Sequence, residues 1–362
     1  MHLYLHIPFC HHICPYCAFY KHKPGKLANR DFVEAILSEA KLRKGELEEP
    51  FETVYFGGGT PTLLSPSLLE RLMQGLAETF DLSQVREYTL EANPATYDLT
   101  KAKLIREQGA NRISLGVQSF QKDTLKTLGR DHSSDDAIVA FKTLREAGFE
   151  NLSLDLMFSV PRQNAKSWQR DLDQAIALQP EHFSAYNLTY EEDTEFMQRH
   201  EKGELDTNED RDADLFYQAI DFLEENTYSH YEISNYARPG FESQHNQAYW
   251  TGDDYLGLGP GAVSTINRQR WKTVPDTAAY VKRSQSGLDT RTDIEVLTDE
   301  DRRIEAIALQ LRTRKGFPTG LLQTPNPVET LAQQGLIVER DGFITLTRAG
   351  KSLADPIATE LI

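Results

Sequence analysis

Six short runs rich in β-branched and aromatic residues recur through the N-terminal half of the chain, at 3–7, 53–56, 88–92, 112–118, 151–158 and 182–189. Each is followed by a stretch of helical periodicity, which predicts helices over 29–45, 65–79, 100–108, 121–128, 134–147 and 166–178. The "SPS" before the second helix and "SSDD" at the fifth supply caps and first turns. Strict βα alternation of this kind leaves few topologies open, because parallel strands need crossover helices. The expected fold class is α/β, a parallel sheet either open or closed toward a partial parallel (β/α)6 TIM-like barrel. Such folds carry their sites at the C-terminal strand ends, so the polar residues there are the candidates: "GGGTP" at 57–61, Glu91, Gln118 with Ser119, Asp155 and Asn187.

Composition narrows the setting. With 362 residues, 39% of them hydrophobic, the chain can bury a sizeable core and add a smaller second unit. A net charge of −16 disfavours a phosphate backbone or an anionic membrane surface, so no nucleic-acid partner is expected. The first residues lack the apolar run of a signal peptide, and no stretch approaches the roughly 18 apolar residues of a membrane span, so no integral membrane segment and a cytoplasmic location are expected.

All three cysteines, Cys10, Cys14 and Cys17, fall inside "HIPFCHHICPYCAFYKH". An odd, clustered set in a reducing compartment argues for metal or redox chemistry over a disulfide framework. Three readings compete: incidental thiols; a zinc site completed by His6, His11, His12 or His22; and an iron–sulfur cubane with three irons held by thiolates and the fourth open to a small molecule. The strand-end candidates suit an amino-acid nucleoside. Gly58 and Gly59 allow approach to bare backbone, Glu91 accepts from an ammonium or ribose, Arg130 clamps a carboxylate, and Asp155 holds ribose hydroxyls.

These motifs in this order, with "EANP", "GVQSF", "LGRDH" and "LDLMFSVPRQ", resemble the radical S-adenosylmethionine superfamily, in the branch containing oxygen-independent coproporphyrinogen III oxidase. The resemblance implies a [4Fe–4S] cluster on Cys10, Cys14 and Cys17. It also implies an S-adenosylmethionine pocket lined by Tyr4, Tyr16, Gly58, Gly59, Thr60, Glu91, Gln118, Arg130 and Asp155, with Tyr16 near adenine. In that superfamily the methionine amino and carboxylate groups chelate the open iron, and reductive cleavage gives a 5′-deoxyadenosyl radical.

Two departures separate the chain from the oxidase. Phe19 stands where the oxidase pattern has a further cysteine, and the first cysteine is already residue 10, without the oxidase's N-terminal segment. Both look like the sister group, the heme chaperones called HemW, which bind heme and deliver it to respiratory heme proteins. "HNQAYW" at 245–250 resembles the HNxxYW heme motif of that group, implying heme contacts from His245, Asn246, Tyr249 and Trp250, with His245 as axial ligand. A hydrogen-bonded core histidine beside two aromatics is the competing reading of the same residues. The alternatives kept open are a coproporphyrinogen-oxidising radical enzyme and a zinc-dependent binding protein.

The expected organisation is a radical core over 1–230, a heme-motif and glycine-rich connecting region over 231–288 and a C-terminal domain over 289–362. "YLGLGPGAVST" at 255–265 reads as an irregular loop closing one barrel end, and 209–225 as a solvated helix. The tail predicts a capped helix, a further helix, two strands joined through "RDG" and a last helix, an α-rich, winged-helix-like module. Modules of that kind often bind DNA, and Arg302, Arg303, Arg312, Arg314 and Lys315 supply local positive charge, but the acidic chain favours a structural or partner-docking role.

Overall fold

The six predicted strands are present in a computed structural model that describes residues 1–25, 29–47, 49–323 and 326–362. They are β1 His2–Ile7, β2 Thr53–Gly58, β3 Glu87–Ala92, β4 Arg112–Gln118, β5 Asn151–Phe158 and β6 His182–Asn187, side by side and parallel in sequence order. The crossovers run through α1 Asn29–Lys44, α2 Pro66–Thr79, α3 Leu99–Glu107, α4 Lys122–Thr127, α5 Ser134–Glu146 and α6 Ala165–Ala177. Their starts obey the capping chemistry read from the sequence. Ser65 accepts from Leu68 N ahead of Pro66, and Ser133 and Asp136 close a capping box.

Side chains alternate along the strands as the pleat requires. Leu3, Leu5, Ile7, Val54, Phe56 and Leu90 join the buried core, whereas Tyr4, Tyr55 and Glu91 meet one another on the concave side. The barrel is open: β6 pairs with a later strand at Asn235–Ala237, and β1 with another at Tyr255–Leu258, instead of with each other.

α7 Glu195–Glu201 and α8 Glu209–Glu225 follow β6. Expected as a solvated face, α8 is instead amphipathic. It buries Leu215, Phe216, Ala219, Ile220 and Leu223, and its Leu215 carbonyl accepts from the Trp168 indole.

Beyond α8 the sheet continues through β7 Ser229–Glu232 and β8 Asn235–Ala237 at one edge. After α9 Gln244–Thr251, the strands β9 Tyr255–Leu258, β10 Val263–Ile266 and β11 Gln269–Thr273, then α10 Thr277–Gln285 and β12 Arg291–Val296, extend the other edge to twelve strands among the described residues. The expected irregular loop at 255–265 is therefore corrected to two strands and their turn. β9 hydrogen-bonds along β1 in parallel, and the buried Glu39 carboxylate of α1 takes the Gly259 N–H at 3.0 Å and the Tyr280 hydroxyl at 2.8 Å. Within 231–288, Leu256, Leu258, Trp271 and Tyr280 share the main core with the barrel strands.

The tail forms α11 Asp299–Gln310, the short strand β13 Phe317–Pro318, α12 Asn326–Gln333, the hairpin β14 Ile337–Arg340 and β15 Phe343–Leu346, then α13 Arg348–Lys351 and α14 Ala354–Leu361. Its own core gathers Ile307, Leu311, Phe317, Ile337, Ile344 and Ile357 beside a three-stranded sheet. Several of its cations are taken up locally. Arg303 pairs with Glu300 at 2.7 Å, Arg312 with Asp355, and Arg314 donates to Ser229 Oγ at 2.8 Å across the junction. Among the described residues no helix is long and apolar enough to cross a membrane.

Candidate functional site

The C-terminal ends of β1 to β6 surround a cavity of about 580 Å³. Cys10, Cys14 and Cys17 enter it from the loop after β1, together with Tyr16. Gly58, Gly59 and Thr60 reach it from β2, Glu91 from β3, Gln118 from β4, Asp155 from β5 and Arg130 from the loop after α4. Eleven of the expected residues thus share one chamber although they are scattered over 146 positions, from 10 to 155.

Each sulfur has a distinct environment. The Thr60 hydroxyl donates to Cys10 Sγ at 3.9 Å, and Arg130 Nη1 donates to Cys14 Sγ at 3.6 Å. Arg130 is itself fixed by Nη2, which donates to Asn93 Oδ1 at 2.5 Å and to the Gly116 carbonyl at 2.8 Å. Lys21 donates to the Cys17 carbonyl, tying down the end of the loop. Burial pushes the free Cys10 thiol up to about 11 and also raises Cys17, so metal loading must displace protons from these sulfurs.

Among the described residues no three or more His, Cys, Asp or Glu side chains converge to hold a metal ion. Of the histidines considered for zinc, His6 is bonded to Tyr4 and the Tyr20 carbonyl, and His22 to the Lys23 carbonyl and Thr277. Three thiols set around one chamber instead suit a cubane, whose sulfur ligands attach to three separate iron corners.

The three glycines of "GGGTP" have separate reasons. A Cβ on Gly57 would lie 2.9 Å from the Tyr55 ring and 3.0 Å from Glu91 Oε1. Gly58 has φ +104°, and a Cβ there would strike the His6 ring at 2.5 Å. Gly59 lies against the β1 backbone, 2.7 Å from the Phe9 carbonyl oxygen to its virtual Cβ. The N–H groups are also engaged: Gly58 donates to Glu91 Oε2 at 3.2 Å, Gly59 to Ile7 and Thr60 to Phe9. These N–H groups are thus held within the protein, and the missing side chains let the strand ends pack closely beside the chamber that Gly58 and Gly59 line.

Glu91 and Asp155 are the two acids of the chamber. Burial, with Asp155 adding to it, pushes Glu91 up to about 7, against the Tyr55 hydroxyl that donates to it at 2.8 Å. Burial raises Asp155 as well, opposed by Ser114, which donates at 2.9 Å, and by Ser153 at 3.3 Å. A cationic or hydroxyl-rich ligand entering here would relieve both groups.

Some expectations fall elsewhere. Ser119 does not face the chamber; its hydroxyl and the Phe120 N–H bind the buried Asp171 carboxylate. Tyr4 is absent from the lining and bonds His6 Nδ1 at 3.0 Å.

The 245–250 motif lies on α9 at the opposite, N-terminal end of the strands. Its His245 is 1% exposed, with Nδ1 bonded to Thr53 Oγ1 at 2.6 Å and Nε2 to the Tyr249 hydroxyl at 3.1 Å. Glu87, at the start of β3, takes the Ser243 hydroxyl and the Gln244 and His245 N–H groups at 2.8 to 3.2 Å, seating the helix N-terminus in the barrel floor. Trp250 packs under the Arg312 guanidinium of the tail.

Sequence reasoning missed Asn93, Met157 and Tyr186, which also line the chamber. Asn93 stood inside the quoted "EANP" and Tyr186 beside the flagged Asn187, so their strand-end positions were the available signal.

Comparison with known proteins adds the decisive observation. The Radical SAM superfamily pattern matches residues 4–175. The heme chaperone HemW of Bacillus subtilis is 35% identical over 370 residues, covering 98% of this chain and 97% of its own. The chain belongs to the HemW family of the radical SAM superfamily. The HemW of Lactococcus lactis is 37% identical over 314 residues, with 86% and 82% covered, and that of Escherichia coli 34% over 364, with 96% and 94% covered. The solved coproporphyrinogen III oxidase of Escherichia coli superposes with TM-score 0.86 over 99% of this chain and 89% of its own at 23% identity, which shows a shared fold.

Proposed function

We propose that this protein is a heme chaperone that binds heme and passes it to respiratory heme proteins in the cytoplasm. Full-length similarity to curated HemW heme chaperones supports this reading over the oxidase. So does Phe19, which lines the chamber mouth 69% exposed where the oxidase pattern has a cysteine.

In this reading Cys10, Cys14 and Cys17 hold a [4Fe–4S] cluster, and S-adenosylmethionine occupies the remaining chamber. When bound, the pair supplies one-electron reductive chemistry. The chain's own residues do the rest. Arg130 and Thr60 stabilise thiolate charge, Glu91 and Asp155 hold ammonium and ribose groups from two strands, and Tyr16 offers an aromatic face. His245 serves heme only if its bonds to Thr53 and Tyr249 are broken, because both ring nitrogens are engaged; Asn246, Tyr249 and Trp250 would then contribute contacts from the same helix.

The deciding experiment incubates the anaerobically reconstituted protein with coproporphyrinogen III and, separately, heme-loaded protein with apo heme acceptors. Heme transfer without protoporphyrinogen formation is expected. Robust protoporphyrinogen formation would instead establish the oxidase reading.

A further inference from the structure

Tyr4, expected in the S-adenosylmethionine pocket, and His245, expected at heme, both lie outside the chamber, and both touch Tyr55. The Tyr55 ring stacks on His245 at 4.9 Å and 22° and on Tyr4 at 6.2 Å and 27°. Its hydroxyl donates to Glu91 Oε1 at 2.8 Å, while the Gly58 N–H donates to Oε2. Gly57 lacks a side chain at the point where one would collide with both Tyr55 and Glu91.

We infer that Tyr55 is a positioning residue of the chamber: held by the rings of Tyr4 and His245, it aims the Glu91 carboxylate at the ammonium or ribose of bound S-adenosylmethionine. The inference rests on the chamber being that ligand's site. Tyr55 itself does not line the chamber, so it acts through Glu91. It also joins the barrel floor to the site, since His245 is fixed by Thr53 and by α9.

The arrangement has a titration consequence. Around Glu91 stand Asp155 of β5, which raises it, and Arg112 of β4, which lowers it. The neutral phenols of Tyr4, Tyr186 and Tyr249 and the Cys17 thiol complete its surroundings. The Tyr55 donor favours the ionised carboxylate. Without it the Glu91 pKa rises further, and a carboxylate-dependent ligand is lost at higher pH as acid is added.

The test is calorimetry of S-adenosylmethionine on the cluster-loaded full chain between about pH 6 and 9. Tyr55→Phe should weaken binding about three- to tenfold near neutrality and move the acid-side midpoint upward, with iron content unchanged. Glu91→Gln should flatten the pH dependence, and His245→Ala should move the midpoint in the same direction by less, which covers the case of a poorly folding Tyr55 variant. A packing role alone would weaken binding equally at every pH, so an unmoved midpoint in both variants overturns the inference while leaving the chamber assignment intact. If Glu91→Ala binds as tightly as wild type, the chamber assignment fails and the inference with it.

Discussion

The two ends of the barrel are both polar and differ in what their polar groups face. At the floor every key group is met from within: Glu87 is capped by three donors of the segment leading into α9, and His245 is bonded at both nitrogens. At the top the thiols, Glu91 and Asp155 surround a void, and burial raises Cys10, Glu91 and Asp155 away from their ordinary values. Glu91 and Asp155 also have protein donors, in Tyr55, Gly58, Ser114 and Ser153, so the difference between the ends is the cavity that the top groups line, where a ligand can add to those bonds.

The largest expected effect breaks the top. Cys14→Ala should abolish a stable cubane after anaerobic reconstitution while far-UV dichroism stays native. Close to four irons and four sulfides per chain in that variant would remove Cys14 from the ligand set.

Next comes the floor. Glu87→Ala strands three donors, two of them buried, and should lower unfolding free energy by about 2–4 kcal/mol in denaturant titration, with iron content retained. A stability near wild type would mean that α9 is seated by its apolar contacts alone.

Asp155→Ala should weaken S-adenosylmethionine binding about ten- to hundredfold at little cost to stability, the reverse of the Glu87 pattern. Equal affinity in the variant would take Asp155 out of the site.

The smallest effect is a pH slope. Burial holds His245 down to about 3, below its unfolded value near 6.5. The unfolded chain therefore takes up a proton that the folded chain refuses, and stability falls as pH drops from about 6.5 toward 3. His245→Gln should flatten that part of the profile; an unchanged slope would assign it to other groups such as His182 or His230.

The top of the barrel was legible because parallel strands put their chemistry at one end, so Glu91, Gln118 and Asp155 could be picked from strand position. The floor was not. His245 in "HNQAYW" gives no sign of whether its ring points into a barrel or out to solvent; that is decided by Thr53 and Glu87, which lie 192 and 158 residues away. Tyr55 looked like one more strand aromatic for the same reason. The short strands β9 and β10 draw their order from the pairing of β9 with β1 and from the Glu39 carboxylate that holds Gly259, so a glycine-rich local sequence read as a loop.

The central claim is that three thiolates leave one iron of a cluster open inside a chamber built for S-adenosylmethionine. Electron paramagnetic resonance of the reduced, reconstituted protein, recorded with and without S-adenosylmethionine, tests it most directly. The claim predicts a cluster signal whose g-values shift on adding the ligand, with the shift weakened in Asp155→Ala. A cluster signal indifferent to saturating S-adenosylmethionine would contradict it.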